Sequence, residues 1–306
     1  MRVLGTPTGY VSAIAVAVNN FGTAVGYATD ANGEDIGLKW SPSGTFVELG
    51  TLPGDTGSQA TGINDLGQVV GFAEDDLGDT RAVEWTAKGV ISDLGAVPGK
   101  IAETGASGIN DLGEIVGYDQ SAARDVGATS WYHGTINDFG GGETADIGEN
   151  GATAVNDLGE IVGYDFVLHG GGSAVAWHGG TPQELPALPT GGGLSHAQAN
   201  AVNNLGEIAG ISPADGIRLY HGVRWDRQGN VTDLGTLPGG TVSDANGIND
   251  LGVIAGGADD GTDSYAVTWS RDGTLTKLPG AGGDATAISD TGFIVGAVGD
   301  TAVIWH

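Results

Sequence analysis

Residues 59–72 set out a pattern that the rest of the chain repeats. Gln59-Ala60-Thr61-Gly62-Ile63-Asn64 alternates small with larger side chains at a period of two, as a β-strand does. The tight turn Asn64-Asp65-Leu66-Gly67 follows, where Asn and Asp suit the turn and Gly67 is free to take a positive φ. A second strand is predicted at Gln68-Val69-Val70-Gly71-Phe72 and a third at Ala82-Val83-Glu84-Trp85, whose Val83 and Trp85 share one face. The fourth, residues 90–95, leads into a Pro/Gly loop of the kind seen at Leu52-Pro53-Gly54.

The turn recurs at Asn19, Asn64, Asn110, Asn156, Asn203, Asn249 and Ser289, with spacings of 45, 46, 46, 47, 46 and 40 residues. One tryptophan accompanies each unit: Trp40, Trp85, Trp131, Trp177, Trp225, Trp269 and Trp305. Repeats of about 40–50 residues with four short strands each are the signature of β-propeller blades. The expected fold is therefore all-β, a seven-bladed propeller of four-stranded antiparallel blades, in one domain spanning residues 1–306. The first strand carries Ala at one fixed place in every unit (Ala15, Ala60, Ala106, Ala152, Ala199, Ala245, Ala285) and Gly or Ala two residues on. Strands crowded around an axis need such small side chains, so this strand is expected innermost. The last unit ends at Trp305-His306 without a fourth strand, while residues 2–7 match the fourth strand of the fifth unit, residues 232–237, in type and order. The N-terminal segment is expected to complete the seventh blade and close the ring. The tryptophans, fixed in strand position, are expected to pack between blades rather than to stack on ligands.

The elements Asp233-Leu234-Gly235-Thr236-Leu237-Pro238-Gly239-Gly240 and Gly247-Ile248-Asn249-Asp250-Leu251-Gly252, with a small-apolar-x-Trp strand, resemble the HAF repeats of bacterial extracellular proteins. The resemblance runs along essentially the whole chain. It departs at the His-Ala-Phe element, which reads Arg81-Ala82-Val83, His221-Gly222-Val223 or Tyr265-Ala266-Val267 here. What it implies is a secreted or cell-surface repeat protein; it carries no catalytic residues across.

Charge and composition narrow the partners. With 58 glycines at fixed repeat offsets, the chain reads as turn-rich rather than disordered. A net charge of −27 argues against nucleic acid and against anionic membrane surfaces, and no span reaches the roughly 20 apolar residues of a membrane helix. The apolar run near the N-terminus aligns with the first strand of a blade, so no signal peptide is expected within the chain. With no cysteine there is no disulfide and no cysteine-built metal site. No cofactor is expected. Asp30-Ala31-Asn32-Gly33-Glu34-Asp35, Asp75-Asp76 with Asp79, and Asp259-Asp260 with Asp263 could hold a structural calcium, though each also reads as a polar hairpin loop. A monomer binding a small molecule or glycan is the expected state.

Candidate chemistry falls where repetition fails. The loops joining second to third strands, and those joining one blade to the next, should share one face. They carry His169, His196, Arg218, Tyr220 and His221 around blades four and five, whereas His133 and His178 fall at the opposite end. His169, His196 or His221 could serve as base, Tyr220 as acid, and Arg218 or Arg124 as the partner of a substrate carboxylate. The residue after the second-strand Gly is aromatic in the first four units (Tyr27, Phe72, Tyr118, Tyr164) and is Ile211, Gly257 and Ala297 thereafter. Bulk on one side and space on the other predict a cleft, with Asp119 and Asp165 at its edge. Polar contact residues do not recur in every loop, which favours one asymmetric site at the channel mouth over a lectin with a site per blade. Ligand or glycan binding is the leading expectation; a carbohydrate-active enzyme, a polysaccharide lyase in particular, is the alternative, and a surface scaffold the third.

Overall fold

The computed structural model describes residues 1–98, 103–120, 126–140, 148–167, 171–189, 196–214 and 219–306. These form seven antiparallel four-stranded blades, and among them there is no helix. Blade one comprises Tyr10–Val18, Ala24–Asp30, Asp35–Trp40 and Phe46–Glu48, in that spatial order from the axis outward. In blade seven the order runs Gly283–Ile288, Ile294–Val298, Thr301–Trp305 and then Arg2–Val3. The N-terminal strand therefore closes the ring, with Arg2 opposite Ile304 and Val3 opposite Val303. Leu4 extends the closure: its N–H donates to the Ala302 carbonyl at 2.9 Å, and its side chain is buried with Trp40 and Ile304. Blades three and four additionally touch through one parallel pairing, Val126 with Glu149.

The tryptophans are inter-blade staples. All are at most 4% exposed, and each packs in a cluster drawn from adjacent blades, as Trp85 does with Val25 and Leu49 of blade one. The indole N–H supplies direction as well. Those of Trp40, Trp85, Trp131, Trp225, Trp269 and Trp305 donate to the carbonyls of Gly5, Gly50, Gly95, Pro186, Leu234 and Pro279 at 2.6–3.3 Å. Each acceptor lies at or just beyond the outer strand of the preceding blade. Burial of each ring contributes about 2–3 kcal/mol and the bond about 1 kcal/mol.

Strict alternation does not survive in the innermost strand. A bulge interrupts it in every blade, between Ala60 and Gly62 in blade two and at the equivalent place elsewhere. The bulge presses a carbonyl against the second strand. A Cβ on Gly26, Gly71, Gly117, Gly163, Gly210, Gly256 or Gly296 would sit 1.9–2.1 Å from that oxygen, which is why glycine stands there in all seven units. The side chain at the bulge then reaches the next blade. Thr61, Thr153 and Thr286 donate to the carbonyls of Ala106, Ala199 and Ala15 at 2.7 Å, and Asn200 and Asn246 to those of Ala245 and Ala285 at 3.0 Å.

The Asn-Asp-x-Gly turns build a second ring at one mouth of the channel. The Asn19 amide donates to the Asn64 carbonyl, and the relay continues blade to blade as far as Ser289. Beside it runs a closed circle. The backbone N–H of Asn20, Asp65, Asp111, Asp157, Asn204, Asp250 and Asp290 each donates to the side-chain oxygen of the next member, at 2.7–2.9 Å, and Asp290 returns to Asn20. The turns thus register the blades as well as reverse the chain.

Candidate functional site

At the other mouth, the residue before the inner Ala sits across from the residue after the second-strand Gly. The seven pairs are Ile14–Tyr27, Gln59–Phe72, Gly105–Tyr118, Gly151–Tyr164, Gln198–Ile211, Asp244–Gly257 and Asp284–Ala297. Size trades across this layer. In blades three and four the tyrosine rings lie over glycines: a Cβ on Gly105 or Gly151 would come within 2.5–2.6 Å of Tyr118 or Tyr164. In blades six and seven the second-strand partner is small and the inner strand carries a carboxyl. The space left behind is a cavity of about 340 Å³ walled by Ile211, Tyr220, Val242, Asp244, Ser264 and Asp284.

The two carboxyls converge over Gly257. Asp244 Oδ1 and Asp284 Oδ1 would lie 2.5 and 2.8 Å from a Cβ at that position, so only glycine leaves room for both. The Gly257 N–H donates to Asp244 Oδ1 at 2.6 Å, and the Asn246 amide reaches Asp284 Oδ1 at 3.3 Å. Among the described residues no cation pairs with either. Burial, and then the charge of Asp244, push Asp284 up to about 7; burial raises Asp244 too, against the opposing Gly257 hydrogen bond. Two carboxyls this close hold one proton between them near neutrality, so the pair presents a donor and an acceptor together.

Of the residues expected at the site, Tyr220 lines this cavity. His221, one residue on, turns its Nδ1 to the Asp233 carboxylate of the outer strand, 3.0 Å from both oxygens. His196 meets Phe166 edge-on at 5.9 Å, and Phe166 stacks on Tyr164 at 4.7 Å, giving a short aromatic run on blade four. Tyr27 is half-buried, its phenol raised by burial and by Asp35; burial raises Tyr118 as well. Asp119 is fully buried beside Tyr118, and the Asp165 carboxyl is raised by burial and by Glu184 of the outer strand. His169, Arg124 and Arg218 lie outside the described residues. At the far mouth, His178 stands 3.9 Å from Glu160, which follows an inner turn.

The acidic loops considered for calcium use their carboxylates on their own backbone. Asp30 accepts from the N–H of Asn32 and Glu34, Asp75 from Leu77 and Asp79, and Asp260 from Thr262 and Asp263. This accounts for their Asp and Asn content as turn chemistry.

The sequence signal for the carboxyl pair lay in the register. Aligned on the inner Ala, the preceding residue is Ile, Gln, Gly, Gly and Gln, then Asp twice running, opposite the two smallest partners. Reading the second strand alone reveals the space; only the pairing reveals what points into it.

No family model and no curated protein matches the chain. Solved structures share its fold at low identity. Virginiamycin B lyase from Staphylococcus aureus, in a catalytically inactive form with quinupristin, aligns at 12% identity and a TM-score of 0.61, over 98% of this chain and 97% of that one. The β-propeller domain of the trilobed protease from Pyrococcus furiosus aligns at 8% identity and 0.62, over 96% and 94%. Aleuria aurantia lectin, in complex with a fucosylated GlcNAc, aligns at 11% identity and 0.52, over 89% and 96%. These likenesses show the propeller fold. Among the described residues no helix is long and apolar enough to cross a membrane.

Proposed function

We propose that the protein is a ligand-binding propeller whose one asymmetric site is the cavity between blades five, six and seven, and that it takes a neutral, hydroxyl-rich ligand such as a glycan. The observation that carries this reading is the Asp244–Asp284 pair facing one cavity over Gly257. A carboxylate and a carboxylic acid side by side match the alternating acceptors and donors of neighbouring sugar hydroxyls. Tyr220 and Ile211 supply an aromatic and an apolar wall against which a sugar face can rest. A uronate is disfavoured, because its own carboxylate would join two others with no described cation beside them.

The same pair supports a second reading, a carbohydrate-active enzyme. A carboxyl held protonated to about 7 is a usable general acid, and its ionised neighbour a base. The lyase version, with Tyr220 as the acid, additionally needs a cation from the loop containing Arg218. The resemblance to HAF repeats supports a protein that works at or outside the cell surface.

Glycan-array binding by the parent and by Asp244→Asn and Asp284→Asn variants tests the proposal. Hits that weaken about tenfold or more in either variant support it; hits indifferent to both overturn it. Release of shortened or unsaturated sugar from those hits selects the enzymatic reading over plain recognition.

A further inference from the structure

The mouth opposite the carboxyl cavity carries a feature that the fold does not require. The third residue of the inner turns is Phe21, Leu66, Leu112, Leu158, Leu205 or Leu251, and these side chains are 46–74% exposed. Isolated exposed apolar side chains are ordinary on protein surfaces, but five leucines and one phenylalanine at one repeat position form a crown around a single opening. The turn itself does not need them. Blade seven has Thr291 at that place, and its Gly292 N–H closes the same turn onto Ser289 at 3.0 Å.

Inside the crown lies the ring of Asp65, Asp111, Asp157, Asp250 and Asp290 with Asn20 and Asn204, around an opening of about 170 Å³. The two asparagines temper their neighbours. Asn20 donates to Asp65 and Asp290 at 2.9 and 3.3 Å, and Asn204 to Asp157 and Asp250 at 3.0 and 3.2 Å. Asp111 stands between Asp65 and Asp157 with no asparagine next to it. Burial raises its carboxyl, and the charges of Asp65, Asp157 and Asp290 raise it further, so negative charge converges on the axis.

From this juxtaposition we infer a docking surface for a partner protein that presents one basic side chain, flanked by apolar residues, to the channel mouth. The Lys or Arg tip enters the carboxylate ring while its neighbours cover the leucine crown. Charge complementarity selects this occupant. A second copy would set one acidic ring against another, in a chain of net charge −27, and an anionic membrane surface would be repelled likewise. The site is independent of the cavity between blades five, six and seven.

Selection of a random linear-peptide display library against the whole protein tests the inference. The control variants need not disturb the fold: Asn20 and Asn204 already occupy the ring position, and Thr291 the crown position. Enriched peptides should carry a Lys or Arg between apolar residues. They should bind about tenfold more weakly to Asp111→Asn/Asp157→Asn and to Leu112→Thr/Leu158→Thr, and unchanged to Asp284→Asn. Their affinity should also fall with added salt. Enriched peptides without a basic residue, or binding that survives both double variants, overturns the inference. So does a dimer of the parent that Leu112→Thr/Leu158→Thr converts to monomer, since the crown would then serve a second copy.

Discussion

Replacing Asp284 with asparagine should stabilise the protein progressively as pH rises above about 4, with the full effect at neutral and higher pH. The carboxyl titrates near 3.8 when unperturbed and is pushed up to about 7 in the folded chain. Below the lower value both states are protonated and the residue adds no pH dependence. Between the two values the unfolded chain ionises while the folded one keeps its proton, so stability falls as pH rises. Above about 7 the loss is complete. A shift of roughly three units at 1.36 kcal/mol each sets a ceiling of about 4 kcal/mol, and because Asp244 titrates with Asp284 the loss belongs to the pair. Asparagine keeps an oxygen for the Asn246 amide and offers Asp244 a permanent donor, so the variant escapes the penalty without losing those contacts. The assay is urea denaturation followed by tryptophan fluorescence, parent against variant, from about pH 4 to about pH 8. Carboxyls other than Asp244 cancel in the difference. The variant should gain as pH rises, by up to about 4 kcal/mol at the upper end, with little difference at the lower. A difference that stays flat with pH, or a variant less stable at pH ~8, would refute the shared-proton account.

Three further outcomes follow from the fold. Deleting residues 1–6 removes the outer strand of blade seven, buried Leu4 and the acceptor of the Trp40 indole; the thermal midpoint should drop sharply, and an unchanged melt would contradict the closure. Trp85→Ala should cost about 3–5 kcal/mol in denaturant unfolding, because a fully buried ring leaves a void between blades one and two. Gly117→Ala places a Cβ 2.0 Å from the Gly105 carbonyl oxygen; destabilisation well beyond the roughly 1 kcal/mol of an ordinary strand glycine is expected, and a neutral result in the same assay would show that the bulge can relax.

Blade number, strand order and closure were legible in the chain because each rests on a local rule written seven times over. The tryptophan position, the Asn-Asp-x-Gly turn and the small inner residues each point to the same architecture. What could not be read was how the repeats use those residues on one another. The bulge that forces Gly71 and its equivalents is a property of two paired strands, and the turn ring needs seven blades brought together before Asp65 can meet Asp111. The cleft followed from the change in side-chain size between Tyr164 and Gly257. Its floor did not, since Asp244 and Asp284 are far from the aromatic positions in sequence and share the cavity only through register. By sequence, His169, His196 and His221 fall in the irregular loops of units four and five. Tyr220 does reach the cavity, but His221 faces Asp233 because neighbouring residues of a strand point to opposite faces.

The claim that this cavity recognises its ligand through a shared proton is tested most directly by calorimetric titration of the strongest glycan-array ligand, with parent and Asp284→Asn, from about pH 5 to about pH 9. In the parent the affinity should change by about tenfold across a transition centred near the pH of about 7 at which Asp284 loses its proton, and that transition should vanish in the variant. The same transition in both proteins, or a ligand bound equally well by both at every pH, would contradict the account.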